Sequence, residues 1–170
     1  IYDERRYPAM ATSYANGGQL SASNAEVWNS WRNVQKGIKW LAKSDAPLKI
    51  NPMPSWEKYS WFLKFMFNIK HADKNTEQTC RWALQAHDLY KNIAREENID
   101  FDKVEKGILH VYSDKEEFNN AHKINEIYKK AGLNRWPVTA AECFDIEPAL
   151  KRSNNLIGGF YNTSDYTGDI

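Results

Sequence analysis

At 170 residues, 42% of them hydrophobic, the chain is long enough to bury a core yet short for a two-domain enzyme. Its 23 basic and 22 acidic side chains nearly cancel and are spread along the chain, which excludes the basic stripe of a nucleic-acid binder. Cys80 and Cys143 match no CxxC or zinc spacing, the four histidines form no metal pattern, and no apolar run approaches the roughly 18 residues that span a bilayer, so a cytoplasmic chain with reduced thiols and no metal is expected.

The opening Ile1-Tyr2-Asp3 reads as the end of a buried strand closing on a carboxylate. In a dinucleotide-binding fold such an acid ends the second strand and holds the adenosine ribose, with a GxGxxG turn roughly 20 residues before it. That turn is not among these residues, and the chain runs out at Tyr166-Thr167-Gly168-Asp169-Ile170, a turn leading into an apolar residue. The expectation is an internal piece of a longer protein.

From Arg5 to Asn33 the residues are small and polar with no sustained period, yet Tyr7, Tyr14, Leu20, Val27, Trp28 and Trp31 can anchor them. An ordered loop of this length is usually functional. Asn33 can cap a helix through Val34, Ile38 and Leu41 that ends near Ser44. After Pro52 and Pro54, Ser55 can cap a helix from Trp56 to about His71, whose stripe of Trp56, Tyr59, Phe62, Leu63, Met66 and Ile69 is widened by Trp61, Phe65 and Phe67. A helix apolar over most of its circumference is expected in the core, or else against a partner or a membrane surface.

Thr76 to Glu97 reads as a helix with Trp82, Ala83, Ala86, Leu89, Tyr90 and Ile93 on its packing face, and Gly107–Tyr112 as a strand. Within that strand His110 is expected to make an ordinary hydrogen bond. Ser113-Asp114-Lys115-Glu116 has the capping-box spacing and opens a helix stopped by Gly132; Thr139-Ala140-Ala141-Glu142 repeats the device. Leu156–Tyr161 reads as a second strand whose glycines allow close backbone approach. Long helices with few strands give an α+β class, leaning helical.

The stretch from Thr12 to Gln19 supplies hydroxyls, amides and glycines in eight residues, the donors and close approach that a pyrophosphate and a flavin ring require. On the residues alone, a polar turn with an asparagine-glycine bend fits equally well.

Ala11-Thr12-Ser13-Tyr14-Ala15-Asn16-Gly17-Gly18-Gln19, Lys39-Trp40, Ala46-Pro47-Leu48, Gly107-Ile108-Leu109, Glu147-Pro148-Ala149-Leu150 and Thr167-Gly168-Asp169 follow one another in this order. Taken together with Asp3, they resemble the FAD-dependent D-amino acid dehydrogenase family across essentially the whole chain. The resemblance implies part of a Rossmann-like FAD-binding domain, residues 1–32, and part of a helix-rich, mixed-sheet substrate domain, residues 33–170. It implies that Asp3 holds the adenosine ribose, that Thr12 and Ser13 meet FAD phosphate or ribityl groups, and that Asn16, Gly17, Gly18 and Gln19 pass near the flavin ring. The implied chemistry is hydride transfer from a D-amino acid to FAD, with electrons passed to a membrane quinone or another acceptor and peripheral contact with the inner face of the cytoplasmic membrane.

Gly17 stands where the family more often has alanine, and no catalytic residue is assigned; Tyr161 and Tyr166 are read as structural. The chain alone is expected to bind FAD weakly or not at all and to be inactive. Kindred oxidation of glycine, sarcosine or proline is the first alternative. A non-catalytic helical module docking through Trp56–Ile69 is the second.

Overall fold

The computed structural model describes residues 4–7, 9–14, 16–41, 43, 45 and 50–168. Asp3, the Ala46-Pro47-Leu48 turn and Asp169 lie outside the described residues. In chain order the elements are β1 (Gln19–Leu20), α1 (Trp31–Leu41), α2 (Trp56–Phe67), α3 (Ala72–Glu96), β2 (Ile108–Tyr112), α4 (Lys115–Ala131), β3 (Trp136–Thr139), α5 (Ala140–Ile146), β4 (Gly158–Asn162) and β5 (Tyr166–Thr167). A short 3₁₀ turn at Ala22–Asn24 follows β1. Helix and sheet are mixed, as expected, and both described sheets are antiparallel: β2-β4-β3, with His110 opposite Phe160 and Val138 opposite Gly159, and β1-β5, with Leu20 opposite Tyr166. No described helix is long and apolar enough to cross a membrane.

Local signals explain most element ends. The Ser55 hydroxyl accepts from the Lys58 amide, 3.2 Å, and starts α2; a 3₁₀ turn at Ile69–His71 then joins it to α3. Thr139 and Glu142 form the full capping box of α5. Gly132 closes α4 in the left-handed conformation, φ 97°, which a residue without a Cβ adopts freely. Two caps differ from expectation by a few residues. Ser30 Oγ accepts from Asn33 N at 3.2 Å, so α1 begins at Trp31 with Asn33 inside it. Asp114 Oδ1 accepts from Glu117 N at 2.8 Å, so the aspartate rather than Ser113 caps α4.

The core joins the Ala22–Asn24 turn, α3 and α4: Ala22, Ala25, Cys80, Tyr128, Ala131 and Leu133 are buried together, with Ala83, Leu84 and Ile124 packed against them. The buried face of α3 is therefore Thr76, Cys80 and His87, whereas Trp82, Leu89, Tyr90 and Ile93 are exposed. The expected packing face is corrected for Trp82, Leu89, Tyr90 and Ile93, while Ala83 packs against the core as expected. Both faces carry a near-heptad spacing, and the small residues took the interior because α4 approaches closely there. The expected burial of α2 is corrected as well, since none of its residues is buried. In β4 the close approach is observed: a Cβ on Gly159 would lie 2.6 Å from the His110 carbonyl oxygen and 2.9 Å from Cys143 Sγ. Tyr161 donates to the Lys106 carbonyl at 2.5 Å and Tyr166 is buried, so both serve the fold.

A single carboxylate ties the two ends of the chain together. Asn162 Oδ1 accepts from Ser164 N (2.9 Å) and Ser164 Oγ (2.8 Å), a side-chain turn that delivers the wholly buried Asp165 to the start of the chain. There Asp165 accepts from Ser21 Oγ at 2.9 Å, Ala22 N at 3.0 Å, Ser23 N at 3.2 Å and Ser23 Oγ at 2.5 Å. Because the Ser23 hydroxyl gives its proton to the carboxylate, its oxygen is free to accept from His110 Nε2 at 2.6 Å. Burial, aided by Arg135 and opposed by Asp165, lowers the His110 pKa to about 4, so this histidine is neutral near pH 7.

Replacing Asp165 with Ala leaves four donors without their anion and is expected to destabilise the fold by about 3 kcal/mol in urea unfolding. An unfolded histidine titrates near 6.5 whereas His110 titrates near 4, so between these values the unfolded chain binds the extra proton. Stability is therefore expected to fall as pH drops from 6.5 towards 4, and the fall should be smaller in His110→Gln. Equal slopes in the two proteins would contradict the assignment.

Candidate functional site

The polar segment before β1 folds around one side chain. Asn16 Nδ2 donates to the carbonyls of Thr12 (3.4 Å) and Ser13 (3.3 Å), while its Oδ1 accepts from Gly18 N at 2.6 Å. Asn16 thus shapes the loop. Gly18 has φ 60°, and a Cβ there would lie 2.4 Å from the Gly168 carbonyl oxygen; Gly168 N in turn donates to the Gly18 carbonyl at 2.8 Å. This seam continues the β1–β5 pairing and holds the loop beside the end of β5. Gly17 differs, because a Cβ there would meet nothing within 4 Å: its backbone borders open space.

That space is a cleft of about 1050 Å³, at the upper end of ligand cavities. Ser13, Asn16, Gly17, Gly18, Gln19 and Leu20 form one side. The other comes from the C-terminal half of α3, with Tyr90, Ile93 and Ala94, and from Ile99–Asp102 beyond it. One wall offers hydroxyl, amide and backbone groups; the other offers apolar and aromatic surface for a flat ring, together with the carboxylates of Asp100 and Asp102. The residues therefore fit a flavin nucleotide: an open glycine backbone, a polar loop, and an apolar platform on which Tyr90 and Ile93 are exposed.

Of the residues expected to bind the cofactor, Ser13, Asn16, Gly17, Gly18 and Gln19 come together along this cleft. Thr12 contributes its carbonyl to the loop's internal bonding and is not among the lining residues, and Asp3 lies outside the described residues. Tyr90, Ile93 and Phe101 were not expected here. The signal that could have found Tyr90 and Ile93 is the second apolar face of α3, surplus to the core; Phe101 lies beyond that helix. Neither cysteine offers a nucleophile: both thiols are free and buried, burial pushes Cys80 up to about 11 with Asp165 adding to the effect, and burial raises Cys143 too. The cleft is built to hold and orient a ligand, with no activated protein group facing it.

Comparison with known proteins gives the family of the chain. The family described as "FAD dependent oxidoreductase" (DAO) matches residues 1–169. The chain is 55% identical over 170 residues to D-amino acid dehydrogenase 3 of Mesorhizobium japonicum, covering 100% of this chain and 41% of that protein. It is 39% identical over 174 residues to a D-amino acid dehydrogenase of Paramagnetospirillum magneticum, covering 99% and 41%. A crystal structure of L-proline dehydrogenase from P. horikoshii is similar with a TM-score of 0.49 and 26% identity, over 55% of this chain and 24% of that one. The chain spans about 41% of the length of the curated relatives it matches. Because the family match runs through nearly every residue, this chain belongs to the FAD dependent oxidoreductase family.

Proposed function

We propose that this chain supplies the flavin-facing loop and the substrate-side sheet of an FAD-dependent D-amino acid dehydrogenase. The observation that carries the reading is the cleft in which Ser13 and Asn16–Gln19 face the apolar wall of α3, together with relatives named D-amino acid dehydrogenase. Bound FAD supplies the acceptor for the α-hydrogen that leaves the amino acid as hydride. The chain's own part is positioning: Asn16 keeps the loop folded, Gly17 leaves room for close approach, and Tyr90, Ile93 and Phe101 exclude water from one side. Asp3 as ribose ligand and Thr12 and Ser13 as phosphate or ribityl ligands belong to this proposal. So does the division into a Rossmann-like flavin part, residues 1–32, and a substrate part, residues 33–170.

The test uses the full-length protein. Gly17→Val adds a side chain where the fold has room, so its melting temperature should match the wild type while FAD affinity falls at least about tenfold, or 1.4 kcal/mol. Unchanged flavin content would contradict the reading. Assay of the wild type against D-alanine, glycine, sarcosine and proline, with a quinone analogue and with oxygen as acceptors, should give turnover chiefly with D-alanine and the quinone analogue.

Peripheral membrane contact is favoured by a specific surface. Trp56 (78%), Trp61 (57%) and Phe67 (71%) of α2 are exposed, as are Trp31, Ile38 and Leu41 of α1. Residues 31–74 hold nine basic and three acidic side chains, against fourteen and nineteen in the rest of the chain. Aromatic rings beside an excess of lysine suit the interface of an anionic bilayer, from which electrons could reach a membrane quinone. The full-length protein is expected to sediment with phosphatidylglycerol-containing vesicles, less so at high salt. Trp56, Trp61 and Phe67 changed together to Ser should weaken this at least about tenfold. Equal sedimentation of wild type and variant would contradict the contact.

A further inference from the structure

A second cavity, about 330 Å³, opens between β2, α4 and the segment from Ser23 to Asn33. Its wall contains a guanidinium in an unusual position. Arg135 is 4% exposed and stacked over the rings of Phe160 (4.5 Å) and Tyr128 (5.0 Å). Its hydrogen bonds go to neutral acceptors: Asn125 Oδ1 at 3.2 Å, the Ser23 carbonyl at 3.4 Å, the Ala121 carbonyl at 3.5 Å and the Tyr112 hydroxyl. Among the described residues no carboxylate forms an ion pair with it. Asp165, whose charge it feels, is occupied by its donors at Ser21, Ala22 and Ser23. A cation this buried is costly without a partner anion.

The same cavity holds a second guanidinium group, paired on one side only: Arg32 Nη2 donates to Glu117 Oε1 at 3.4 Å. Arg32 Nε is buried and makes no hydrogen bond; Glu116 is 3.7 Å away, outside bonding reach. Neutral groups also line it: His110, the Tyr112 hydroxyl and the Asn120 amide, the last hydrogen-bonded to Glu26. The carboxylates of Glu26 and Glu117 also border the space. They would repel a dianion and attract an ammonium group.

We propose that this cavity is a binding site for a small monocarboxylate, of the kind carried by α-amino acids and 2-oxo acids, with the carboxylate held by Arg135 and Arg32. Two guanidinium forks match a carboxylate's planar oxygens, and the volume lies at the small end of ligand cavities. The site is separate from the flavin cleft and shares no lining residue with it. It does not rest on the oxidoreductase reading; only the choice of probes does.

The test uses the full-length holoenzyme with nitrogen-15 in its arginine side chains, titrated with pyruvate, D-alanine and methyl pyruvate. Pyruvate and D-alanine are expected to shift the Arg135 Nε resonance saturably, and methyl pyruvate, which lacks the carboxylate, to leave it in place. Arg135→Lys removes that resonance, and the ligand concentration needed to shift the Arg32 Nε resonance, the other arginine of the lining, should then rise at least tenfold. Should that variant fail to fold, Asn120→Asp, at a partly buried position of the lining, places a negative charge in the cavity, and the Arg135 shift should then require at least tenfold more ligand. Perturbation of the flavin absorbance by pyruvate should persist in Asn120→Asp. Equal shifts with methyl pyruvate, absence of a saturable shift, or Asn120→Asp behaving as wild type would each overturn the site. A holoenzyme inert towards every amine yet showing the Arg135 shift would sink the proposed activity and leave this site standing.

Discussion

The arrangement depends on Asp165. Its buried carboxylate gathers the Ser21 and Ser23 hydroxyls and the Ala22 and Ser23 amides, residues more than 140 positions away in the chain. Without that attraction nothing local would keep residues 19–25 against α3, because β1 has only two residues and the turn after it lacks a side-chain cap. An ionised acceptor for several donors is among the stronger devices available inside a protein. Here it fixes the far end of the glycine loop. The near end is fixed by the seam between Gly18 and Gly168, and between the two anchors the loop presents Gly17 and Gln19 to open space.

Two consequences run outward from the same carboxylate. Through Ser23 it orients His110, whose ring burial keeps neutral, and so ties β2 to the loop. Its bonds to the loop go to Ser21, Ala22 and Ser23, so Arg135 feels its charge without an ion pair and borders the polar cavity beside α4 together with Glu26. The cleft beside the glycine loop and the Arg135 cavity share no lining residue and need not bind the same ligand.

Much of the architecture was legible in the residues. Ser55, Thr139 with Glu142, and Gly132 each mark a helix end through chemistry confined to one turn, so their sequence alone announces them. The strands around His110 and Gly159 were equally clear from β-branched and small residues in short runs. The faces of α2 and α3 were not legible, because apolar periodicity says that a face exists and not what will cover it. On α3, Cys80, Ala83 and Leu84 lost nothing in hydrophobic spacing to Tyr90 and Ile93; the close approach of α4 chose between them. On α2 the rings of Trp56 and Phe67 stay outside. Five of the seven expected cofactor residues share one cleft, because a ligand loop is local in sequence. Its opposite wall came from an element 70 positions away, and Asp165 and Arg135 carry no local motif at all.

The central claim is that the loop from Thr12 to Leu20 and the wall from Tyr90 to Asp102 close on FAD. Hydrogen exchange of the full-length protein, measured without and with FAD, tests it most directly. Slowed exchange in both segments on FAD addition is the predicted result. Protection confined to other parts of the polypeptide, with these two segments unchanged, would contradict it.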